Sequence, residues 1–201
     1  MQTNRRRAWR SYWGAEQTGG RCRVLLDIAG CQRGLKNGRG VHIVFRYYFI
    51  ALCVIIADHA AKWLVSTYMK IGQEIPLIPG VLGLASIRNR GAAFGIFQGQ
   101  ITFFIIATTV VLIGIMLYLP KAHREKTILR YGLALILGGA LGNFIDRVFK
   151  GEVVDMIQVH FFNFPVFNVA DSFLCIGVII VMIHSLKESR NKDEELKEVV
   201  K

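Results

Sequence analysis

Between Ile101 and Leu119 the chain runs for 19 residues without a charged side chain. As a helix, such a segment is long enough to cross the roughly 30 Å hydrocarbon core of a bilayer. Three more apolar blocks accompany it. Tyr47 to Ala57 is extended by the amphipathic run DHAAKWLVSTYM, Tyr131 to Ile145 ends at Asp146-Arg147, and Phe164 to Leu186 is interrupted by Asp171 and His184. Hydrophobic residues make up 53% of the sequence and charged residues 19%, less charge than a soluble domain carries. These blocks predict an integral membrane protein of one domain, mainly α, with four transmembrane helices.

The net charge of +11 invites a nucleic-acid reading, which its distribution opposes. With the N-terminus in the cytoplasm and four crossings, the cytoplasmic segments hold 19 Lys and Arg. The other side holds six: Lys62, Lys70, Arg88, Arg90, Arg147 and Lys150. That bias puts both termini inside. The basic residues therefore read topology, and no nucleic-acid partner is expected. The four cysteines have neither metal-ligand spacing nor the pattern of a disulfide framework.

Residues 1–42 differ in composition from the rest, being rich in Arg and Gly without a periodic apolar face. They lack the apolar core and small-residue cleavage site of a signal peptide. The expectation is a disordered basic extension or an upstream start artefact, with true initiation near Val41. Residues 43–186 form the four-span domain, and 187–201 a charged cytoplasmic tail or helix end. After the first span, EIPLIPGVLGLASIRNRGAAFGIF carries prolines, glycines and short apolar runs that disfavour a long helix. This region predicts short strands, a small extracytoplasmic sheet over about residues 71–96. The segment PKAHREKTILR reads as a plain turn.

The stretch from Gly138 to Asp171 concentrates polar groups in apolar sequence: Asn143, Asp146, Arg147, Asp155, Asn168 and Asp171. An ionisable group at membrane depth costs roughly 2.5–3.5 kcal/mol on insertion scales, which makes each a functional candidate. A solvated, charged interhelical loop is the bland alternative. In the third span Gly138, Gly139, Ala140 and Gly142 form a small-residue face for close helix packing. Asp58 and Lys62 stand four apart, so they face one way on a helix, as an interfacial ion pair, as a buttress for a site or as a contact to a lipid headgroup. Asp146 with Arg147 reads as an interfacial ion pair or as part of the polar cluster with Asn143.

The topology puts Asp58, Asn89, Asn143, Asp146, Arg147, Asp155, Asn168 and Asp171 at one outer membrane boundary. Two carboxylates brought together share a proton and split their apparent pKa values. Such a pair can activate water with one member and protonate a leaving amine with the other. The histidines have no ligand spacing, and Ser66, Ser86 and Ser172 have no convincing base beyond an unsupported pairing with Lys62. Two non-hydrolytic readings stand beside this one. A transporter would spread its relay acids through the membrane depth and show an internal repeat; a structural adaptor would use the aspartates as interfacial anchors.

Five blocks in order carry a family resemblance. They are Asp58-x-x-x-Lys62, Asn89-x-Gly91-Ala92-Ala93-Phe94, Gly138-Gly139-Ala140-x-Gly142-Asn143-x-x-Asp146-Arg147, Val153-Val154-Asp155 and Phe167-Asn168-Val169-Ala170-Asp171. Across roughly residues 43–186 the chain resembles bacterial lipoprotein signal peptidase (signal peptidase II). The resemblance implies four helices with a small outer β-cradle, and an intramembrane aspartic endopeptidase. Such an enzyme cuts the signal peptide from prolipoproteins just before a diacylglyceryl-modified cysteine. It implies Asp155 and Asp171 as catalytic, with Asn89, Asn143, Arg147 and Asn168 holding substrate and orienting the pair. Asp58, Lys62, Asp146, Gly139 and Ala170 would support them. No metal or organic cofactor is implied. The expected partners are modified prolipoproteins and membrane lipids, for a monomer in the bacterial cytoplasmic membrane with its site near the outer face. Met156 follows Asp155 where the family usually has an aromatic, and His59-Ala60-Ala61 replaces a commonly more polar run.

Overall fold

A computed structural model describes residues 39–91, 99–124, 127–160 and 164–199. Residues 1–38 of the N-terminal extension, Ala92-Ala93-Phe94 of the second motif and Asn163 lie outside the described residues. The chain divides into a unit of residues 1–43 and a unit of residues 44–201. Of the first, the described residues 39–43 are helical.

The elements are α1 (Arg39–Tyr68), β1 (Glu74–Ile78), β2 (Leu82–Asn89), α2 (Ile101–Tyr118), a 3₁₀ turn (Lys121–Arg124), α3 (Thr127–Lys150), β3 (Val153–Val159) and α4 (Val169–Val199). Among the described residues all four α-helices are long and apolar enough to cross a membrane, as the apolar blocks predict. Their large apolar side chains are turned outward, among them Phe49, Ile56, Phe103, Ile106, Val110, Ile179 and Met182. In water that pattern would be untenable; against lipid tails it is the expected one. The chain is a multi-pass membrane protein.

α3 is the central helix. Gly138 lies where an added Cβ would come within 2.8 Å of Ala51 O on α1, and Gly132 within 3.0 Å of Gly177 O on α4. The small-residue face thus serves two neighbours, and α3 packs most extensively against α4. Tyr47, Ala51, Leu112, Leu133, Ala134 and Leu137 join α1, α2 and α3 in one buried cluster. Arg46 stacks over Tyr131 and Arg130 over Tyr47, which ties α1 to α3 away from the aspartates.

The strands form one antiparallel sheet in the order β1-β2-β3. Two of them fall in the region where short strands are expected. The third does not: β3 is the segment carrying Asp155, which the sequence presents only as an approach to the fourth span. α3 ends at Lys150, and Gly151 at φ +67° bonds its N–H back to Arg147 O, turning the chain directly into β3. At the far side, Phe167 bridges Ile157 just before α4 begins. One further boundary differs from expectation: Thr127–Arg130, read as part of a plain turn, already belongs to α3. α4 continues unbroken past residue 186 to Val199, which is the helix-end reading of that segment. Exposed i,i+4 pairs such as Lys192–Glu188 and Arg190–Glu194 support that extension.

Candidate active site

Asp155 is placed by strand pairing. Asn89 ends β2 opposite Val153, and Ile87 pairs with Asp155 after an irregularity between Leu84 and Ile87. Residues two apart share a strand face, so Asp155 lies diagonally beside Asn89. The Asn89 amide Nδ2 donates to Asp155 Oδ2 at 2.8 Å, and its own oxygen is held by Gly91 N–H at 2.8 Å.

Asp171 is placed by the start of α4. Asn168 precedes the first helical residue and caps it: its side-chain oxygen accepts from Asp171 N–H at 2.9 Å. In return Asp171 Oδ2 accepts from Asn168 N–H at 3.2 Å. This is a reciprocal capping box with asparagine and aspartate in the two roles. It puts a carboxylate in the first turn, where the helix dipole favours negative charge. The same Asn168 then reaches out with Nδ2 to Asp155 Oδ1 at 2.8 Å. One asparagine therefore fixes both aspartates.

A third asparagine completes the set. Asn143 on α3 donates Nδ2 to Asp171 Oδ1 at 2.7 Å, and its oxygen accepts from Lys62 Nζ at 2.9 Å. In all three amides the oxygen is claimed by a donor, so the NH₂ faces a carboxylate. Asn143 and Asn168 are buried, as is Asp155. Burial drives the Asp155 carboxyl up to about 6, opposed by the Asn89 and Asn168 hydrogen bonds and reinforced by the nearby Asp171 charge.

Behind this layer lies a charged cluster that is fully buried. Lys62 Nζ is 2.6 Å from Asp58 Oδ2 and 2.7 Å from Asp146 Oδ2. Asp58 Oδ1 accepts from Ala170 N–H at 2.9 Å. Asp58 and Lys62 are thus a buried ion pair. Asp146 pairs with Lys62 and Lys150 rather than with its neighbour Arg147. Arg147 instead donates to Gly91 O at 3.3 Å and lies over the Phe104 ring. An added Cβ on Gly139 would run into Ala170 O, and one on Gly142 would sit 2.7 Å from Asp58 Oδ2. The glycines admit the cluster and α4 to the same plane.

Asn89, Asn143, Arg147, Asp155, Asn168 and Asp171 all line one cavity of about 400 Å³. Its remaining wall is largely apolar: Val153, the segment Phe164–Phe167, and Cys175 one turn beyond Asp171. The sequence reading passes over this wall, over the Gly91 carbonyl and over Lys150 as a partner of Asp146. Lys150 had a signal, standing four residues after Asp146, and Gly91, Val153 and Phe167 stand inside the family blocks; Pro165, Val166 and Cys175 had none. Among the described residues no cluster of His, Cys, Asp or Glu could hold a metal. Asp58 and Asp146 meet at Lys62, and Asp155 and Asp171 at Asn168, two adjoining groups rather than a file of acids along the helices, which disfavours a proton relay through the membrane.

Fold and site define a multi-pass membrane protein with a paired-carboxylate cavity where two helices meet a small sheet. Residues 50–187 match the family described as signal peptidase (SPase) II. A lipoprotein signal peptidase of Halalkalibacterium halodurans is 50% identical over 151 residues, covering 74% of this chain and 97% of the relative. One of Bacillus velezensis is also 50% identical over 151 residues, covering 74% and 99%. Two solved structures, each described as a bacterial membrane enzyme obtained by the in meso method, are 44% identical to it. They have TM-scores of 0.70 and 0.65, covering 73% and 71% of this chain and 91% and 93% of theirs. The chain belongs to the signal peptidase II family, a family of peptidases.

Proposed function

We propose that this protein is an intramembrane aspartic endopeptidase that removes the signal peptide from prolipoproteins, cutting before the diacylglyceryl-modified cysteine. Asp155 and Asp171 are the catalytic pair. The observation that carries this reading is the Asn168 side chain, bonded to Asp155 Oδ1 and to the Asp171 backbone at once. Such an arrangement holds two carboxyl groups at one cavity in fixed orientation.

The chemistry needs one proton shared between them. The ionised member takes a proton from water, whose oxygen attacks the scissile carbonyl carbon. The protonated member hydrogen-bonds the developing oxyanion. As the tetrahedral intermediate collapses, the C–N bond breaks and a carboxyl proton passes to the departing amine. An Asp155 carboxyl near 6 suits this, since a proton is retained at the pair close to neutral pH. Asn89, Asn143 and Asn168 hold the carboxylates with their lone pairs directed. Arg147, at the cavity wall, holds the peptide backbone, while Asp58, Lys62, Asp146, Gly139 and Ala170 support the frame.

The site lies at the outer face of the bacterial cytoplasmic membrane, with both termini cytoplasmic, in a monomer. The inside-positive distribution of Lys and Arg supports that orientation. A diacylglyceryl anchor would hold the precursor at the depth of the pair, so that anchoring becomes positioning. The test is incubation of the purified chain with a diacylglyceryl-modified prolipoprotein and with its unmodified form. Product mass should give a new N-terminus at the modified cysteine and no cutting of the unmodified precursor. Cleavage elsewhere, or none, contradicts the proposal.

A further inference from the structure

Lys62 is 1% exposed within a helix able to span a membrane. An ammonium there needs full compensation. It has three N–H donors, and three acceptors surround it: Asp58 Oδ2, Asp146 Oδ2 and Asn143 Oδ1. The two carboxylates already satisfy the charge. The third contact has a different consequence. Lys62 can only donate, so it draws the Asn143 oxygen toward itself and leaves Nδ2 facing Asp171 Oδ1 at 2.7 Å. In the flipped amide, NH₂ would meet an ammonium and the oxygen would meet a carboxylate, replacing two hydrogen bonds with two repulsions.

A second arm reaches the same residue. Asp58 is held by Lys62 through Oδ2 and accepts the Ala170 N–H through Oδ1. Ala170 immediately precedes Asp171. Lys62 thus governs Asp171 through both its side chain and its backbone, from a position outside the cavity lining.

We propose that Lys62 is a positioning residue: it fixes the Asn143 amide and, through Asp58, the Ala170–Asp171 peptide, so that Asp171 is presented to the cavity in one orientation. This rests on the reading of Asp171 as a member of the catalytic pair. The charged and titratable groups around Lys62 are Asp58 and His59 on α1, Asp146 and Lys150 on α3, Asp155 on β3 and Asp171 on α4.

Lys62→Met alone would strand two buried carboxylates and compromise folding. The test therefore compares two versions of one neutralised background, Asp58→Asn/Asp146→Asn with Lys62→Met and with Lys62→Gln. The two differ chiefly in whether position 62 can donate to Asn143. kcat and KM on a diacylglyceryl-modified prolipoprotein are measured beside thermal unfolding, with wild type and Asp171→Asn in parallel. The Lys62→Met version is expected to unfold at a temperature close to that of the Lys62→Gln version, yet to lose kcat on the order of 10²-fold against wild type with KM little changed. Lys62→Gln should recover roughly tenfold of it. Equal kcat in the two folded versions, or wild-type kcat in the Lys62→Met version, overturns the proposal. If only the Lys62→Gln version folds, a cycle with Asn143→Ala decides, non-additive losses in kcat supporting the coupling and additive ones refuting it. Normal cutting by Asp171→Asn would instead refute the catalytic reading itself.

Discussion

The side-chain amide of Asn168 donates to Asp155 Oδ1 at 2.8 Å from the N-cap of α4. Its oxygen at the same time caps the Asp171 N–H. The residue that starts the helix is therefore also the residue that sets one aspartate against the other. A strand carries Asp155 and a helix carries Asp171, and this one side chain bonds to both residues.

Asn168→Ala should act on stability and activity together. Losing the cap costs about 1 kcal/mol, and removing a donor from a buried carboxylate about 1.5–3 kcal/mol more. Thermal unfolding in detergent should fall accordingly, with cleavage reduced far beyond what the loss of folded protein explains. A variant of wild-type stability would contradict the capping role.

Asp155 gives a pH dependence of defined sign. Its carboxyl is raised from 3.8 to about 6, chiefly by burial. The folded chain then binds this proton more tightly than the unfolded one. The associated stability is fully present below the unfolded value, declines as pH rises and is gone above about 6. Asp155→Asn lacks the proton, so its stability relative to wild type should climb across that window and then level. Melting curves of both proteins across the window check it; a constant difference would show that Asp155 is not raised. The acid limb of kcat/KM should fall in the same region, as a property of the pair.

Gly139 tests the packing beneath the pair. A side chain there meets Ala170 O on the adjacent helix. Gly139→Val should destabilise by about 1–3 kcal/mol and displace Asp171 from Asn143, so activity falls in the fraction that remains folded. An active, wild-type-stable variant would mean that the helices have room to spare.

Not every charge contact near the site has such weight. Arg90, 68% exposed, pairs with Glu152 at 3.1 Å. Arg90→Ala should cost no more than about 1 kcal/mol, read from the same melting curves. A larger loss would assign the pair a structural role that its exposure does not predict.

Much of this was legible beforehand. One uncharged block of bilayer length and three apolar blocks that are shorter or interrupted announce the four helices, and their spacing brings the polar residues together. What escaped was pairing. Val153-Val154-Asp155 reads as a boundary acid after apolar residues; it becomes a strand only because β2, 66 positions away at Asn89, supplies its partner. Asp146 beside Arg147 looks like an ion pair in sequence, but neighbours on a helix point about 100° apart. Lys62, on another helix, reaches Asp146 instead. The α4 extension was left open between two readings, because mixed charge suits a tail or a helix end until its i,i+4 order is considered.

The most direct measurement is cleavage of a purified diacylglyceryl-modified prolipoprotein by wild type, Asp155→Asn and Asp171→Asn. Glu74→Gln, at an exposed carboxylate in β1, serves as the control. If the two aspartates are the catalytic pair, both substitutions abolish cutting while every variant stays folded and the control cuts like wild type. Normal cleavage by either Asp155→Asn or Asp171→Asn would contradict it.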